Sequence, residues 1–130
     1  MKVGIYTATY NNSTLPSVRS QEETVRNHLT KMMQKHLPSS HSPNSETGQD
    51  CIYNVVSDRF NISEEEVNIN FENMLQERVG LSSLLEQMCN DKVDILSMYN
   101  PHVLSSYPNT LVFLTNEISR RYNISTIFVK

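Results

Sequence analysis

The sequence predicts an α/β fold, built on a mainly parallel, four-stranded sheet with helices on both faces. Two observations support this prediction. Segments with the apolar pattern of strands take turns along the chain with segments whose apolar residues recur at helical spacing. The segments between successive strands are also long enough to hold the crossover connections that parallel strands require. At 130 residues the chain has the length of one domain, so we expect residues 1–130 to form a single domain.

The first strand and the first helix have the clearest patterns. Residues 2–9 are almost entirely apolar or β-compatible, which predicts a buried strand. Apolar residues at helical spacing then predict a helix that ends near His36, with Ser17 or Ser20 as its N-cap. Residues 37–50 are rich in serine, proline and other turn formers, and we expect a flexible loop there.

The middle third of the chain supports conflicting interpretations. Residues 51–56 have the composition of a strand, residues 63–66 have the Ser-x-x-Glu form of a helix capping box, and residues 67–71 alternate like a strand. Because these patterns conflict, the register of the second strand between residues 51 and 77 stays open at this point.

The last third of the chain is regular again. Its apolar patterns predict a helix, a strand, a second amphipathic helix and a final strand at residues 81–90, 93–98, 111–122 and 124–129. In open parallel sheets, ligands bind at the carboxyl ends of the strands. The loops that follow Thr9 and Met98 are therefore where we expect a functional site.

Charge and composition narrow the classes of function. The 11 Lys and Arg residues are outnumbered by 14 Asp and Glu residues, for a formal charge of -3, so charge alone does not favour binding to duplex DNA. No apolar stretch approaches the roughly 20 residues that span a bilayer. The N-terminus lacks the apolar run of a signal peptide, and the chain has only two cysteines, Cys51 and Cys89. We therefore expect a soluble, cytoplasmic protein with free thiols.

Four short segments carry a family resemblance through their order and spacing. Residues 3–7 read Val-Gly-Ile-Tyr-Thr, residues 17–21 read Ser-Val-Arg-Ser-Gln, residues 78–81 read Arg-Val-Gly-Leu and residues 93–96 read Val-Asp-Ile-Leu. Together they resemble the N-terminal catalytic domain of resolvase/invertase-type serine recombinases. In that family a strand that ends in Tyr-x-Arg-x-Ser is followed by Ser-Leu-x-x-Gln, then by Arg-Pro-Gly-Leu and a third strand. The resemblance implies a resolvase-like fold.

The chemistry that the resemblance implies is phosphoryl transfer on DNA, in which a serine attacks a phosphodiester and arginines stabilise the transition state. In this sequence the nucleophile position falls on Tyr10, and the arginine position before it falls on Ala8. The family's Asp-Arg-Leu-x-Arg motif falls on residues 102–106, where Val103 and Ser106 replace its two arginines. Three residues are candidate remnants of the family's site: Ser13, Gln21 and Arg78.

Each candidate also has a structural interpretation. Tyr10 is an alternative nucleophile, but a phenol needs nearby cations to ionise, so packing at the strand end is favoured. Ser13 could take the place of the nucleophile, but it would lie beside the same positions from which the family's arginines are missing. Arg78 is a candidate to hold a phosphate or an acidic partner, although a solvated surface position is favoured for an arginine at a helix start.

The favoured interpretation is a catalytically inactive, serine-recombinase-like protein, linked to a mobile element, that acts as an interaction or regulatory module. Its expected partner is a protein, either a recombinase or a regulator. Weak DNA binding and homo-oligomer formation are further expectations. The family's long dimer-forming helix and separate DNA-binding domain are expected to be absent.

Two alternatives stay open. One is a site-specific DNA recombinase with relocated catalytic residues, or one that works only beside an active partner. The other is a flavodoxin-like binder of a nucleotide or flavin, for which the loop at residues 7–14 has hydroxyls and amides but no glycine. We expect no cofactor, and the scattered positions of the four histidines predict no metal site.

Overall fold

The computed structural model describes residues 2–11, 14–36, 52–67 and 77–130. The elements, in chain order, are β1 (Val3–Thr9), α1 (Val18–His36), β2 (Ile52–Arg59), α2 (Glu64–Val67), α3 (Val79–Asn90), β3 (Ile95–Met98), α4 (Pro108–Tyr122) and β4 (Ser125–Phe128). A short 3-10 turn, Pro101–Val103, connects β3 to α4. Strands and helices alternate as the sequence predicts.

The four strands form one sheet in the order β2-β1-β3-β4, and every neighbouring pair is parallel. β1 therefore lies inside the sheet, with Ile5 opposite Val55 of β2 and Ser97 of β3. The pairing with β1 settles the second strand, whose register the sequence leaves open. The predicted α/β class with a parallel, four-stranded sheet is confirmed.

Helices cover both faces of the sheet, as the sequence predicts. On one face Val3 and Ile5 of β1 form a buried cluster with Val25 and Leu29 of α1. The alternate residues of β1 point to the other face and pack in a larger cluster with α3 and α4. Gly4 lies on that second face, where a Cβ atom would come within 2.5 Å of the Met88 Sδ atom. A glycine there allows α3 to approach β1 closely.

Two predicted helix starts have the hydrogen bonds expected of them. Ser17 caps α1, because its Oγ accepts a hydrogen bond from the Ser20 N–H at 3.2 Å. Ser63 caps α2, because its Oγ accepts the Glu66 N–H at 3.3 Å. The helix start predicted at residues 63–66 is therefore confirmed, and the Ser63 hydroxyl also donates to Glu66 Oε1 at 3.3 Å.

The strand interpretation of residues 67–71 is wrong at its first residue, because Val67 ends α2. Residues 68–71 and the predicted loop at residues 37–50 lie outside the described residues. Among the helices that the structure describes, none has both the length and the apolar character needed to cross a membrane.

Candidate functional site

The loops that follow β1 and β3 meet at the carboxyl end of the sheet, where the sequence predicts a site. Tyr10 comes directly after β1, and its hydroxyl donates a hydrogen bond to the carbonyl oxygen of Val103 in the 3-10 turn. Tyr10 is only 7% exposed, and Ala8 and Val103 are fully buried. Three of the positions that the family resemblance singles out thus lie inside the protein.

Arg78 is also inside the protein, with no exposed surface. Its Nη1 donates a hydrogen bond to the Tyr10 hydroxyl oxygen at 2.5 Å, and its Nη2 donates to the Leu104 carbonyl oxygen at 2.5 Å. The expectation that Arg78 is a solvated surface residue is therefore wrong. A guanidinium taken out of water requires polar partners, and the two loops that meet here supply them.

Two aromatic rings also lie beside this guanidinium. The Tyr10 and Phe60 rings are stacked with centroids 5.3 Å apart and planes 5° apart. The Arg78 Cζ atom lies 5.4 Å from the Tyr10 centroid and 5.7 Å from the Phe60 centroid, within the range of cation–π attraction. We call these three side chains the Tyr10–Arg78–Phe60 cluster.

Arg78 stays charged within this cluster. Burial acts to lower the pKa of its guanidinium, but the hydroxyls of Tyr10 and Tyr6 act in the opposite direction, and the net shift of the pKa is upward. Burial of a charged group is costly unless its donors are bonded, and the bonds from Nη1 to Tyr10 and from Nη2 to Leu104 offset part of that cost.

A carboxylate that the sequence patterns did not mark holds the start of α3. Asp58, near the end of β2, accepts hydrogen bonds from the Gly80 N–H at 2.9 Å and the Leu81 N–H at 3.1 Å. Asp58 also accepts a hydrogen bond from the Tyr6 hydroxyl at 2.8 Å. A carboxylate at a helix N-terminus satisfies backbone donors and interacts favourably with the helix dipole. Because Arg78 is the residue before α3, Asp58 also helps to place Arg78.

The glycine of the Arg-Val-Gly-Leu segment has a steric role in this contact. A Cβ atom on Gly80 would lie 2.7 Å from Asp58 Oδ1 and 2.8 Å from Val56 Cγ1. Any larger residue would push α3 away from β2. The glycine of the Arg-Val-Gly-Leu segment therefore allows the close contact between α3 and β2.

Gln21 connects α1 to the end of β1. Its Nε2 donates hydrogen bonds to the carbonyl oxygens of Ala8 and Pro16 at 2.8 and 2.9 Å, and its Oε1 accepts the Ala8 N–H at 3.3 Å. The pairing of β3 with β1 ends at Tyr6. Beyond that point the Gln21 side chain, rather than β3, forms hydrogen bonds with the backbone N–H and carbonyl oxygen of Ala8. The geometry gives Gln21 a positioning role.

The two remaining site residues that the sequence predicts are not part of the Tyr10–Arg78–Phe60 cluster as the structure describes it. Ser106 is exposed, and its Oγ lies 3.0 Å from the Nδ1 atom of the exposed His102. Ser13 lies outside the described residues. The structure thus brings together Tyr10 and Arg78, while Ser106 is on the surface. In the described part of the chain, no three His, Cys, Asp or Glu side chains are arranged to hold a metal ion.

The arrangement at the carboxyl end is that of a packed core. The Tyr10 hydroxyl donates to Val103 and accepts from Arg78, and the ring is buried between its neighbours. A nucleophile must reach its substrate, and catalytic cations must point to where charge develops on it. Neither Tyr10 nor Arg78 is directed towards solvent in this geometry.

Comparison with solved structures agrees with this architecture. The crystal structure of the N-terminal catalytic domain of TP901-1 integrase superposes with a TM-score of 0.59 and 18% sequence identity, covering 99% of this chain and 77% of that one. The chain has a resolvase-like fold. At this identity the similarity shows the fold alone. No protein-family model and no curated protein sequence matches the chain.

Tyr6 should make this resolvase-like core less stable as the pH rises into the alkaline range. Burial raises the pKa of its phenol well above the ordinary value, and this outweighs the opposite effect of Arg78. Because the folded-state pKa is the higher one, the contribution of Tyr6 to stability is complete below the unfolded pKa of about 10 and is lost as the pH rises further. We expect the free energy of unfolding to fall there by up to about 1.4 kcal/mol per pH unit.

Urea denaturation at several pH values on both sides of the unfolded pKa measures this dependence. We expect the variant Tyr6→Phe to have a shallower alkaline slope than the parent. Tyr53→Phe is a second comparison: Tyr53 is half-buried and its pKa is also raised, by its hydrogen bond to Asp91, so its removal should also make the alkaline slope shallower. Equal slopes for the parent and Tyr6→Phe would contradict the prediction.

Proposed function

We propose that this chain is a catalytically inactive relative of the serine recombinases that acts as a protein-interaction or regulatory module of a mobile element. The observation that supports this best is the environment of Arg78. Its two Nη atoms are bonded to Tyr10 and Leu104, and its side chain has no exposed surface. The cation that the resemblance assigns to the site is thus part of the core.

The other positions of the site support the same proposal. Ala8 and Val103 stand where the family has arginines, and both are fully buried. Ser106 stands where the family has a third arginine, and Tyr10 stands at the nucleophile position. Removing one charge-stabilising donor typically lowers a rate about 100- to 1000-fold, so the loss of three cations and the nucleophile predicts undetectable strand transfer.

The intact fold accounts for the second half of the proposal. β1 and its neighbours keep a continuous buried core on both faces of the sheet. A chain that keeps its fold while most of its catalytic positions are replaced retains a surface that another protein can bind. We infer that the partner is a recombinase or a regulatory protein.

Incubation with supercoiled DNA that carries candidate recombination sites tests the inactivity. Covalent protein–DNA adducts are sought on denaturing gels, with an active serine recombinase and its own site as the positive control. We expect no adduct from this chain. An adduct that disappears in Tyr10→Phe or in Ser13→Ala would overturn the proposal.

Gel-shift measurements over a range of salt concentrations test DNA binding separately. Each phosphate contact releases counterions, so DNA binding through phosphates has a steep dependence on salt. We expect weak binding with a shallow dependence. Tight binding with a steep dependence would favour a protein that still acts on DNA.

A further inference from the structure

One side of α4 forms an open groove of about 620 Å³ on the protein surface. The described residues that line it all belong to this helix: Phe113, Asn116, Glu117, Ser119 and Arg120. Phe113, Glu117 and Arg120 follow one another at intervals of four and three residues, so they share one side of the helix. The side that faces the core is a different one, since it carries the buried Leu114 and Ile118. We call this surface the α4 groove.

The α4 groove contains a carboxylate that is nearly hidden from water. Glu117 is only 8% exposed. Its Oε1 atom accepts a hydrogen bond from Arg120 Nη2 at 2.5 Å. Its Oε2 atom lies 2.5 Å from Arg121 Nε but has no hydrogen bond among the described residues, so this second contact is an ion pair. Burial of a carboxylate is costly unless it is paired, and here each oxygen faces its own guanidinium. Glu117 therefore holds two arginines side by side.

The two arginines are open to a partner. The Arg120 side chain is 75% exposed and the Arg121 side chain 49%, although both contact the nearly buried Glu117. A guanidinium has five N–H donors, and the hydrogen bond to Glu117 uses one of those of Arg120. Two guanidiniums beside one carboxylate leave a net positive charge in the last turn of α4. The α4 groove thus offers positioned N–H donors to a negatively charged group.

The other half of the α4 groove is apolar. Phe113 is half-buried, because it packs in part against the larger core cluster, and it also lines the groove. Val112 is 56% exposed and lies four residues before Asn116, on the outer side of the helix. Aromatic residues and arginines are enriched where proteins bind one another. An aromatic ring on the same side of a helix as two positioned cations is therefore typical of a protein-binding surface.

We propose that the α4 groove is the docking site for an acidic segment of a partner protein, which also carries an apolar side chain. The apolar side chain contacts Phe113 and Val112, and a carboxylate of the segment accepts hydrogen bonds from Arg120 and Arg121. The phosphates of DNA would match the arginines but leave the apolar half of the groove without a partner. This inference rests on the proposed function and gives the chemistry of the partner that the interaction module binds.

The dimensions of the groove predict the spacing within the partner segment. Seven residues of helix separate Phe113 from Arg120, which corresponds to about 10 Å along the axis of α4. Three residues of an extended segment cover the same distance. We therefore expect the apolar residue and the Asp or Glu of the partner to be about three positions apart.

Phage display of random peptides on the full chain tests the proposal. We expect the selected peptides to share an apolar residue and an acidic residue at that spacing. Fluorescence polarisation of a labelled selected peptide then compares its affinity for the parent and for variants. Arg120→Ala should weaken binding roughly tenfold, because it removes charge-assisted donors, and Val112→Ser should weaken it less. Both positions are exposed, and circular dichroism checks that each variant keeps the fold.

Arg19→Ala is the matched control, because it removes an exposed arginine from α1, on the opposite face of the sheet. The control should bind the peptide like the parent. The inference fails if no peptide is selected, if the selected peptides lack acidic residues, or if Arg120→Ala binds them as tightly as the parent. It also fails if Arg120→Ala weakens DNA binding in gel shifts and leaves peptide binding unchanged, which would make the groove a nucleic-acid site. The DNA-adduct experiment does not involve α4, so a failure of the proposed inactivity is recognised separately.

Discussion

Replacing Arg78 with alanine lowers the free energy of unfolding by roughly 3–5 kcal/mol. Arg78 is one of the largest fully buried side chains, so its truncation leaves a cavity beside the stacked rings of Tyr10 and Phe60. The Leu104 carbonyl oxygen also loses the charged donor that it has in the structure. A cavity and an unsatisfied buried acceptor both destabilise the folded state.

Urea denaturation followed by circular dichroism measures this loss, with Arg78→Met and Arg78→Lys as comparisons. Methionine fills much of the volume without a donor, so we expect a smaller loss than for alanine. Lysine keeps the charge but lacks the planar pair of Nη donors that reach Tyr10 and Leu104, so the lysine variant should also be destabilised. A loss below about 1 kcal/mol for Arg78→Ala would contradict a structural role for this arginine.

A structural role for Arg78 connects the fold to the proposed inactivity. With no exposed surface, the Arg78 guanidinium is out of contact with a phosphate outside the protein. In the structure its two Nη donors hold the loop after β1 and the segment before α4. The arginine that resembles a catalytic residue therefore stabilises the end of the sheet.

The order of the strands and helices was predictable because its signal is local. The helices α3 and α4 each have apolar residues at helical spacing within a single stretch of chain, and such a stripe must face a core. Ser17 marks the start of α1 through a capping residue next to the helix it caps. Signals of this kind do not depend on distant parts of the chain.

The second strand and the interior of the site were not predictable in this way. Two neighbouring patterns compete after residue 51, and only the pairing with β1 selects Ile52–Arg59 as the strand. The burial of Arg78 depends on Tyr10, 68 residues earlier, and on Leu104, 26 residues later. No window of sequence contains these partners together, so the local sequence alone favours a solvated arginine.

The role of Asp58 has no local sequence signal either, because its hydrogen-bond partners are distant in the chain. Replacing Asp58 is the second substitution for which we expect a large loss of stability. Asp58→Ala removes the acceptor of two backbone N–H groups at the start of α3 and of the Tyr6 hydroxyl, which is buried. The loss of a helix cap costs about 1 kcal/mol, and a buried hydroxyl left without its acceptor costs about 1–3 kcal/mol. We therefore expect the free energy of unfolding to fall by roughly 2–4 kcal/mol.

The other end of α3 provides the matched control. Asp91 also accepts a hydrogen bond from a tyrosine, Tyr53, but on the surface and at the C-terminus of the helix, where a negative charge is unfavourable. We expect Asp91→Ala to change the free energy of unfolding by less than about 1 kcal/mol. In the Tyr6→Phe background, Asp58→Ala should cost less than in the parent, because the hydroxyl that it strands is already absent. Equal costs in both backgrounds would show that Asp58 acts on α3 alone, and that its contact with Tyr6 adds nothing to the stability of the site.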